Sequence, residues 1–308
     1  MSKLFPAIIF ALLTANLLAQ NAQDADDINK RASRSFDKGE YDSAIADFTR
    51  VIELTSRLAA KKHVPRSNFV GDSASPEADG VTVIDPRTAV AYANRGKAYL
   101  AKGDADAAVS DFNHALAISP AMTAAYFCRG SAWLGKQQFA LAIIDFDKVI
   151  RLMPEQPGGY IGRGAARLAQ GESRLAFEDF NYAVKIATKN AVSYYYRGEA
   201  RRRTGDLDGA ISDFEYGLKL NSHLANPYLG RGLVRLQKRD FDGAINDLTI
   251  AITLDRRLAH AYANRGFAFY IQGRTIDAEK DFTRATELDP TLRTEIEANV
   301  NTIKNWNK

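Results

Sequence analysis

Glycine recurs at Gly96, Gly130, Gly164, Gly198, Gly232 and Gly266, each 34 residues after the last. Tyrosine keeps the same interval at Tyr92, Tyr126, Tyr160, Tyr194, Tyr228 and Tyr262. Alanine does so at Ala44 and then Ala108 through Ala278, and an aromatic at Phe48, then Phe112 through Phe282, with Leu248 once in its place. A fixed period in four independent registers requires a stack of like units, because one short unit cannot bury its own apolar face. With the tyrosine numbered position 4 of each repeat, the glycine falls at 8, the alanine at 20 and the aromatic at 24. Between them stand Gly39-Glu40, Gly103-Asp104, Gly171-Glu172 and Gly205-Asp206, a helix stop and a turn. Each repeat therefore reads as two helices of about 13 residues joined by a tight turn. Tyr92, Gly96 and Tyr99 share one face of the first helix, and Ala108, Phe112 and Ala115 one face of the second. A glycine inside a helix costs about 1 kcal/mol relative to alanine. Six in one register predict a close helix crossing, with the second helix presenting its small alanine there and Tyr and Phe filling the space on either side.

These residues resemble the tetratricopeptide repeat family over residues 25–292, apart from one insertion. The resemblance implies an all-α fold, a right-handed superhelical solenoid of helix-turn-helix repeats. Repeat 1 (25–58) carries Ala32 in the glycine place and Ile28 in the tyrosine place, followed by Gly39, Ala44 and Phe48. The step from Ala32 to Gly96 is 64 residues, 30 more than one period. An inserted loop is expected over 59–88, either a tolerated insertion or a functional one. Repeats 2–7 (89–292) begin at Ala89, Thr123, Pro157, Ala191, Ala225 and Ala259. Pro120, Pro154 and Pro290 hold the family's helix-ending place, as does Pro86 just after the insertion, whereas Thr188, Ser222 and Arg256 replace it elsewhere. Leu292, Ile296, Val300, Ile303 and Trp306 mark the apolar face of a C-terminal capping helix over 293–308, with Glu295, Asn299 and Lys304 opposite.

Residues 4–19, LFPAIIFALLTANLLA, follow a single lysine and precede QNAQDADD. This is the layout of a signal peptide cut after Ala19, leaving a short polar leader at 20–24 and a chain exported to the periplasm or secreted. The alternatives are an uncleaved membrane anchor through the same residues, for which the run is short and broken by Pro6 and Asn16, or a chain kept in the cytoplasm. The net charge of +4 is too small for a chain of 308 residues to demand a nucleic-acid partner, and none is expected. One cysteine, Cys128, excludes an internal disulfide and a multi-thiolate zinc site.

Two charged series keep the same period. Arg31, Arg95, Arg129, Arg163, Arg197, Arg231 and Arg265 stand at position 7; Asp47, Asp111, Asp145, Asp179, Asp213, Asp247 and Asp281 at position 23. Opposite charges repeated together predict one Arg–carboxylate pair per repeat, within a repeat or between neighbours. The other reading is an arginine row that binds a ligand. Arg167, Arg201 and Arg235 add a second arginine at position 11 of repeats 4–6 and, with Arg202, Arg203, Lys238 and Arg239, make the middle locally basic. That patch reads as a solvated helix face, or as a contact for an anionic lipid, polymer or acidic partner in a membrane-anchored assembly factor.

The resemblance also implies peptide binding in a concave groove lined by positions 2, 5, 6, 9, 12 and 13 of the first helices. Carried onto this chain, these positions include Asn94 and Lys97, Phe127 and Cys128, Ile161, then Tyr195, Tyr196 and Glu199, Leu229 and Leu233, and Asn264 and Phe267. Three consecutive repeats never match the family's clamp for chaperone tails, and the continuous asparagine row of its glycosyltransferase superhelix is missing. The groove reads as apolar and aromatic, suited to a peptide or helix of a protein partner. The histidines His63, His114, His223 and His260 occupy unrelated positions, and no HExxH, GxSxG, Walker or paired-carboxylate spacing occurs. No catalytic residue, metal site or cofactor is expected. The function expected is that of a non-catalytic adaptor or scaffold of the cell envelope.

Overall fold

A computed structural model of the chain describes residues 4–61 and 85–306, with side chains over 20–57 and 85–304. The described helices group into two compact units, Met1–Pro154 and Glu155–Lys308. The first holds α1 (Leu4–Asp37), α2 (Tyr41–Lys61), α3 (Pro86–Lys102), α4 (Ala105–Ile118), α5 (Thr123–Gly135) and α6 (Phe139–Leu152). The second holds α7 (Pro157–Ala169), α8 (Ser173–Ile186), α9 (Ala191–Thr204), α10 (Leu207–Leu220), α11 (Ala225–Gln237), α12 (Phe241–Leu254), α13 (Ala259–Ile271), α14 (Thr275–Leu288) and α15 (Leu292–Trp306). All regular structure among the described residues is helical.

The ends of these helices are written locally. Gly103 closes α3 at φ 90° and Gly205 closes α9 at φ 88°, the left-handed conformation that glycine adopts without strain. Asp104, Asp206 and Asp240 then cap the second helices by accepting from Ala107, Gly209 and Gly243 backbone N–H groups. Position 15 needs the left-handed backbone in every repeat, and Gln137 and Arg239 adopt it at φ 57° and 62° without being glycine. Pro86 begins α3 instead of ending a helix. Its missing N–H is harmless at the first helical position, and Asp85 caps the Arg87 N–H beside it. The insertion expected at 59–88 is thus entered by helix from both sides, and residues 62–84 lie outside the described residues.

Packing follows the period. The position-20 alanines, such as Ala108, Ala176 and Ala244, are fully buried. The glycine at position 8 stands against the side chain at position 24 of the same repeat, Phe or once Leu248, and the expected alanine is close as well: a Cβ on Gly96, Gly232 or Gly266 would stand 3.2, 3.5 or 3.3 Å from the carbonyl oxygen of Ala108, Ala244 or Ala278. A Cβ on Gly164 would stand 2.5 Å from Phe180 Cε1, and one on Gly198 2.8 Å from Phe214 Cε1. The absent side chain makes room for a whole ring, and the ring covers apolar surface that an alanine could not.

Within each unit, neighbouring first helices touch: α1 with α3 and α3 with α5, then α7 with α9, α9 with α11 and α11 with α13. Neighbouring second helices do not touch among the described residues. First helices therefore form the closer, inner row of each unit. Helix α15 touches both α13 and α14, the contacts a further first helix would make. Leu292, Ile296 and Ile303 are buried in it, while Glu295 and Asn299 are exposed and the Trp306 side chain lies outside the described residues. Among the described residues no helix is long and apolar enough to cross a membrane.

Candidate interaction surface

The two charged series pair within each repeat. From Arg31–Asp47 to Arg265–Asp281, the Nη2 group donates to Oδ1 at 2.5–2.8 Å and Nε donates to the carboxylate at 2.7–3.1 Å. This fork geometry suits guanidinium and carboxylate. The tyrosine at position 4 lies under the guanidinium in repeats 2–7, with 5.3–5.8 Å from Cζ to ring centroid. From repeat 2 on, the aspartates are only 0–6% exposed. Hydrogen bonding to them holds Arg95, Arg129, Arg231 and Arg265 above the usual guanidinium pKa.

The third corner of the guanidinium reaches the preceding repeat. Arg95 Nη1 donates to Thr49 Oγ1 at 2.9 Å, Arg129 to Asn113 Oδ1 at 2.6 Å, Arg197 to Asn181 Oδ1 at 2.9 Å and Arg265 to Thr249 Oγ1 at 3.0 Å. These acceptors all stand at position 25, whose polar character recurs with the 34-residue period and is legible once that column is read. The arginine row is therefore structural cement between and within repeats, and its charge is neutralised where it stands.

The expected groove residues divide into lining and core. Asn94 and Lys97 share a cavity of about 230 Å³ with Ser33, Phe36, Asp37 and Phe48. Tyr195 and Tyr196 line another of about 410 Å³ with Val192, His223, Leu254 and Asp255. Phe267 borders a third, of about 760 Å³, beneath α15. Phe127 is exposed and lies edge-on to Phe146, with ring centroids 5.7 Å apart. Ile161 and Leu233 are half-buried, and Asn264 turns its amide to the His260 carbonyl at 2.7 Å. Cys128 packs against the Ala93–Phe112 core, and burial pushes its thiol pKa up. Leu229 packs on the Ala244–Leu248 core. Tyr196 stacks on Phe180 at 5.3 Å, and burial raises the hydroxyl pKa of both tyrosines. Both rings line the cavity and pack against core rings, Tyr195 on Phe214 and Tyr196 on Phe180. Val192 stands at position 2, a groove position of the family that the sequence reading did not carry onto this repeat, whereas His223 and Leu254 were not expected there because one lies in an inter-repeat turn and the other ends the second helix α12.

Residues 89–122 and 259–292 match family profiles described as tetratricopeptide repeat. The fold is similar to a chain of the APC/C hetero-tetramer Cut9–Hcn1, with a TM-score of 0.66, 15% identity and 95% of this chain covered, although this chain spans only 55% of that one. It is also similar to a tetratricopeptide repeat protein from Parabacteroides merdae, with a TM-score of 0.67, 17% identity, and 92% of this chain and 99% of that chain covered. The chain is a tetratricopeptide repeat protein. A thermophilic tetratricopeptide repeat protein of Thermus thermophilus matches 59% of it at a TM-score of 0.53 and 18% identity, covering 99% of its own length. Comparison with curated protein sequences returns no match.

The tetratricopeptide frame explains the basic middle differently from the sequence reading. Arg167, Arg201 and Arg235 point inward as second donors to Asp179, Asp213 and Asp247 at 2.8, 2.9 and 2.9 Å. They belong neither to a solvated face nor to an anion-binding row. Arg202 and Arg203 both bond Glu199, at 2.7 and 3.0 Å. Burial works to raise the Glu199 pKa, but these two arginines outweigh it and hold the carboxyl below its usual range. Glu199 is therefore engaged with its own helix and is not free for a peptide. Arg239 stands apart, on the wall of the cavity beneath α15. Among the described residues no cluster of acidic, histidine or cysteine side chains is arranged to hold a metal ion. Tetratricopeptide repeat proteins are in general non-catalytic scaffolds for protein–protein interaction, and this fold supports that class of role.

Proposed function

We propose that this protein is an adaptor of the cell envelope that holds a peptide or helix of a protein partner along its first-helix faces. The observation that carries the reading is the division of labour among side chains. The periodic charges are engaged inside the repeats, whereas the first helices keep open cavities lined by Asn94 and Lys97 in one compact unit and by Tyr195 and Tyr196 in the other. Such partly apolar recesses with a few polar groups suit a peptide's side chains. Export rests on the charged, apolar and then polar order of the first 27 residues.

Site-specific photo-crosslinking in cells tests both parts. With p-benzoylphenylalanine at Phe127 or Val192, a discrete adduct to a partner in the envelope fraction is expected. With the same group at Ile144, 57% exposed on a second helix, none is expected. Adducts at Ile144 alone would sink the groove reading. The mature N-terminus, read by mass spectrometry, is expected at Gln20. An intact N-terminus in the cytoplasmic fraction would sink export, and an intact one in the membrane would favour the anchored alternative.

A further inference from the structure

Arg239 breaks a rule that most repeats keep. Position 15 requires the left-handed backbone, and Gly39, Gly103, Gly171, Gly205 and Gly273 supply it, but Arg239 adopts φ 62°. A side chain in that conformation is destabilising, so the fold tolerates an arginine where glycine would serve it better. The side chain then borders the cavity beneath α15. The walls there are Leu236, Phe241, Phe267, Ile271 and Ile303, with Gln237, Asn299 and Thr302 as polar points and no carboxylate among the described lining residues. Arg235 and Arg231, one and two turns earlier, both hold Asp247. No described carboxylate pairs with Arg239. An unneutralised cation beside an apolar recess has a defined complement: a carboxylate flanked by apolar side chains. The lining spans α11, α13 and α15, successive helices of the inner row, with Arg239 and Phe241 contributed by the α11–α12 turn and the start of α12, so a bound chain can enter and leave across the row.

We infer that this cavity takes an internal segment of a partner protein in which one Asp or Glu lies among apolar residues, the acid meeting Arg239 and the apolar side chains meeting Phe267 and Ile303. The inference rests on the peptide-binding reading above and names the chemistry of one stretch of that surface. Its volume, about 760 Å³, is in the range of specific ligand pockets.

The test uses the full chain and immobilised libraries of 12-residue peptides built from Leu, Ile, Phe and Ala. One library carries a central Glu with both termini blocked, a second a central Gln with both blocked, and a third a central Gln with a free C-terminal carboxylate. Retention of the first at least about tenfold above the second is expected, the scale of a charge-assisted bond. Arg239→Gly should abolish that preference while raising Tm by about 2 °C, since the backbone strain is relieved. Thr302→Trp, which fills the cavity from an exposed position of α15, should lower retention and leave Tm unchanged. Equal retention of the first two libraries, stronger retention of the third, or a preference that survives Arg239→Gly overturns the inference. So does concentration-dependent self-association that Arg239→Gly removes, because the occupant is then a second copy. If Glu and Gln libraries bind alike while adducts at Phe127 persist, only this inference fails. If neither library is retained and no adduct forms, the peptide-binding reading fails with it.

Discussion

The Arg31–Asp47 pair of repeat 1 and the Arg197–Asp213 pair of repeat 5 have the same residues, the same spacing and nearly the same bond, 2.5 and 2.6 Å. Their surroundings differ. In repeat 1 the side chains are 65% and 17% exposed; in repeat 5 they are 15% and 4% exposed. Among the described residues, Arg31 meets no position-25 acceptor, no tyrosine under its guanidinium because Ile28 holds that place, and no second arginine beside Asp47. Repeat 5 has Asn181, Tyr194 and Arg201. The energetic weight of the motif therefore comes from its neighbours. A pair shared with solvent contributes little, whereas a buried one cannot lose a partner without stranding a charge.

The largest effect is expected from Asp213→Ala, which leaves Arg197 and Arg201 buried without their carboxylate and should cost about 3–5 kcal/mol. Urea titration should show this, with hydrogen-exchange protection lost first in α9 and α10. Asp47→Ala should shift the same titration far less. Equal losses at the two sites would break the comparison, since stacking would then contribute nothing. The glycine register sharpens it. Gly198→Ala drives a Cβ toward the fully buried Phe214 ring and should cost about 1–3 kcal/mol. Repeat 1 already carries Ala32 in that register, so there the reverse change, Ala32→Gly, should be the destabilising one, by about 1 kcal/mol from helix propensity. Thermal unfolding of both variants checks the two directions, and a stabilised Gly198→Ala would show that the close approach to Phe214 is not needed.

Much of this was legible because period is a statement about packing. Gly96 and Phe112 recur together since one ring fills the space the other residue vacates, and Arg197 and Asp213 recur together since each is the other's partner. The helix pairs and their turns follow from Gly103-Asp104 and its copies. What stayed hidden depends on where side chains point. Arg167, Arg201 and Arg235 look like surface charge in a helix written as a line of letters, yet the aspartate of the following helix draws them inward. Tyr195 and Tyr196 fall in groove register, but Phe214 and Phe180 lie close enough to hold both rings. The cavity beneath α15 is assembled from α11, the start of α12, α13 and α15, and no local stretch of sequence announces it.

The smallest effect is expected at the rim of the same stack. Lys238 reaches back to Asp208 of repeat 5 at 2.5 Å, and Lys102 to Asp42 likewise, from position 14 to position 18 of the preceding repeat. These bonds cross the same kind of boundary as Arg197 to Asn181, but Lys238 and Asp208 are 39% and 87% exposed. Water competes for both groups and salt screens them. Thr204 and Arg174 hold these positions between repeats 4 and 5, and Arg174 pairs instead with Glu178 of its own helix. That junction still packs α8 against α9, so the stack forms without the rim bond. Lys238→Ala should therefore cost about 0.2–1 kcal/mol in low salt and nothing measurable in 1 M salt. Thermal melts of the variant and the parent at the two salt concentrations provide the check. A larger loss, or one that salt does not remove, would mean that the rim and the buried Arg–Asp row share the work of joining repeats, and that burial alone does not rank them.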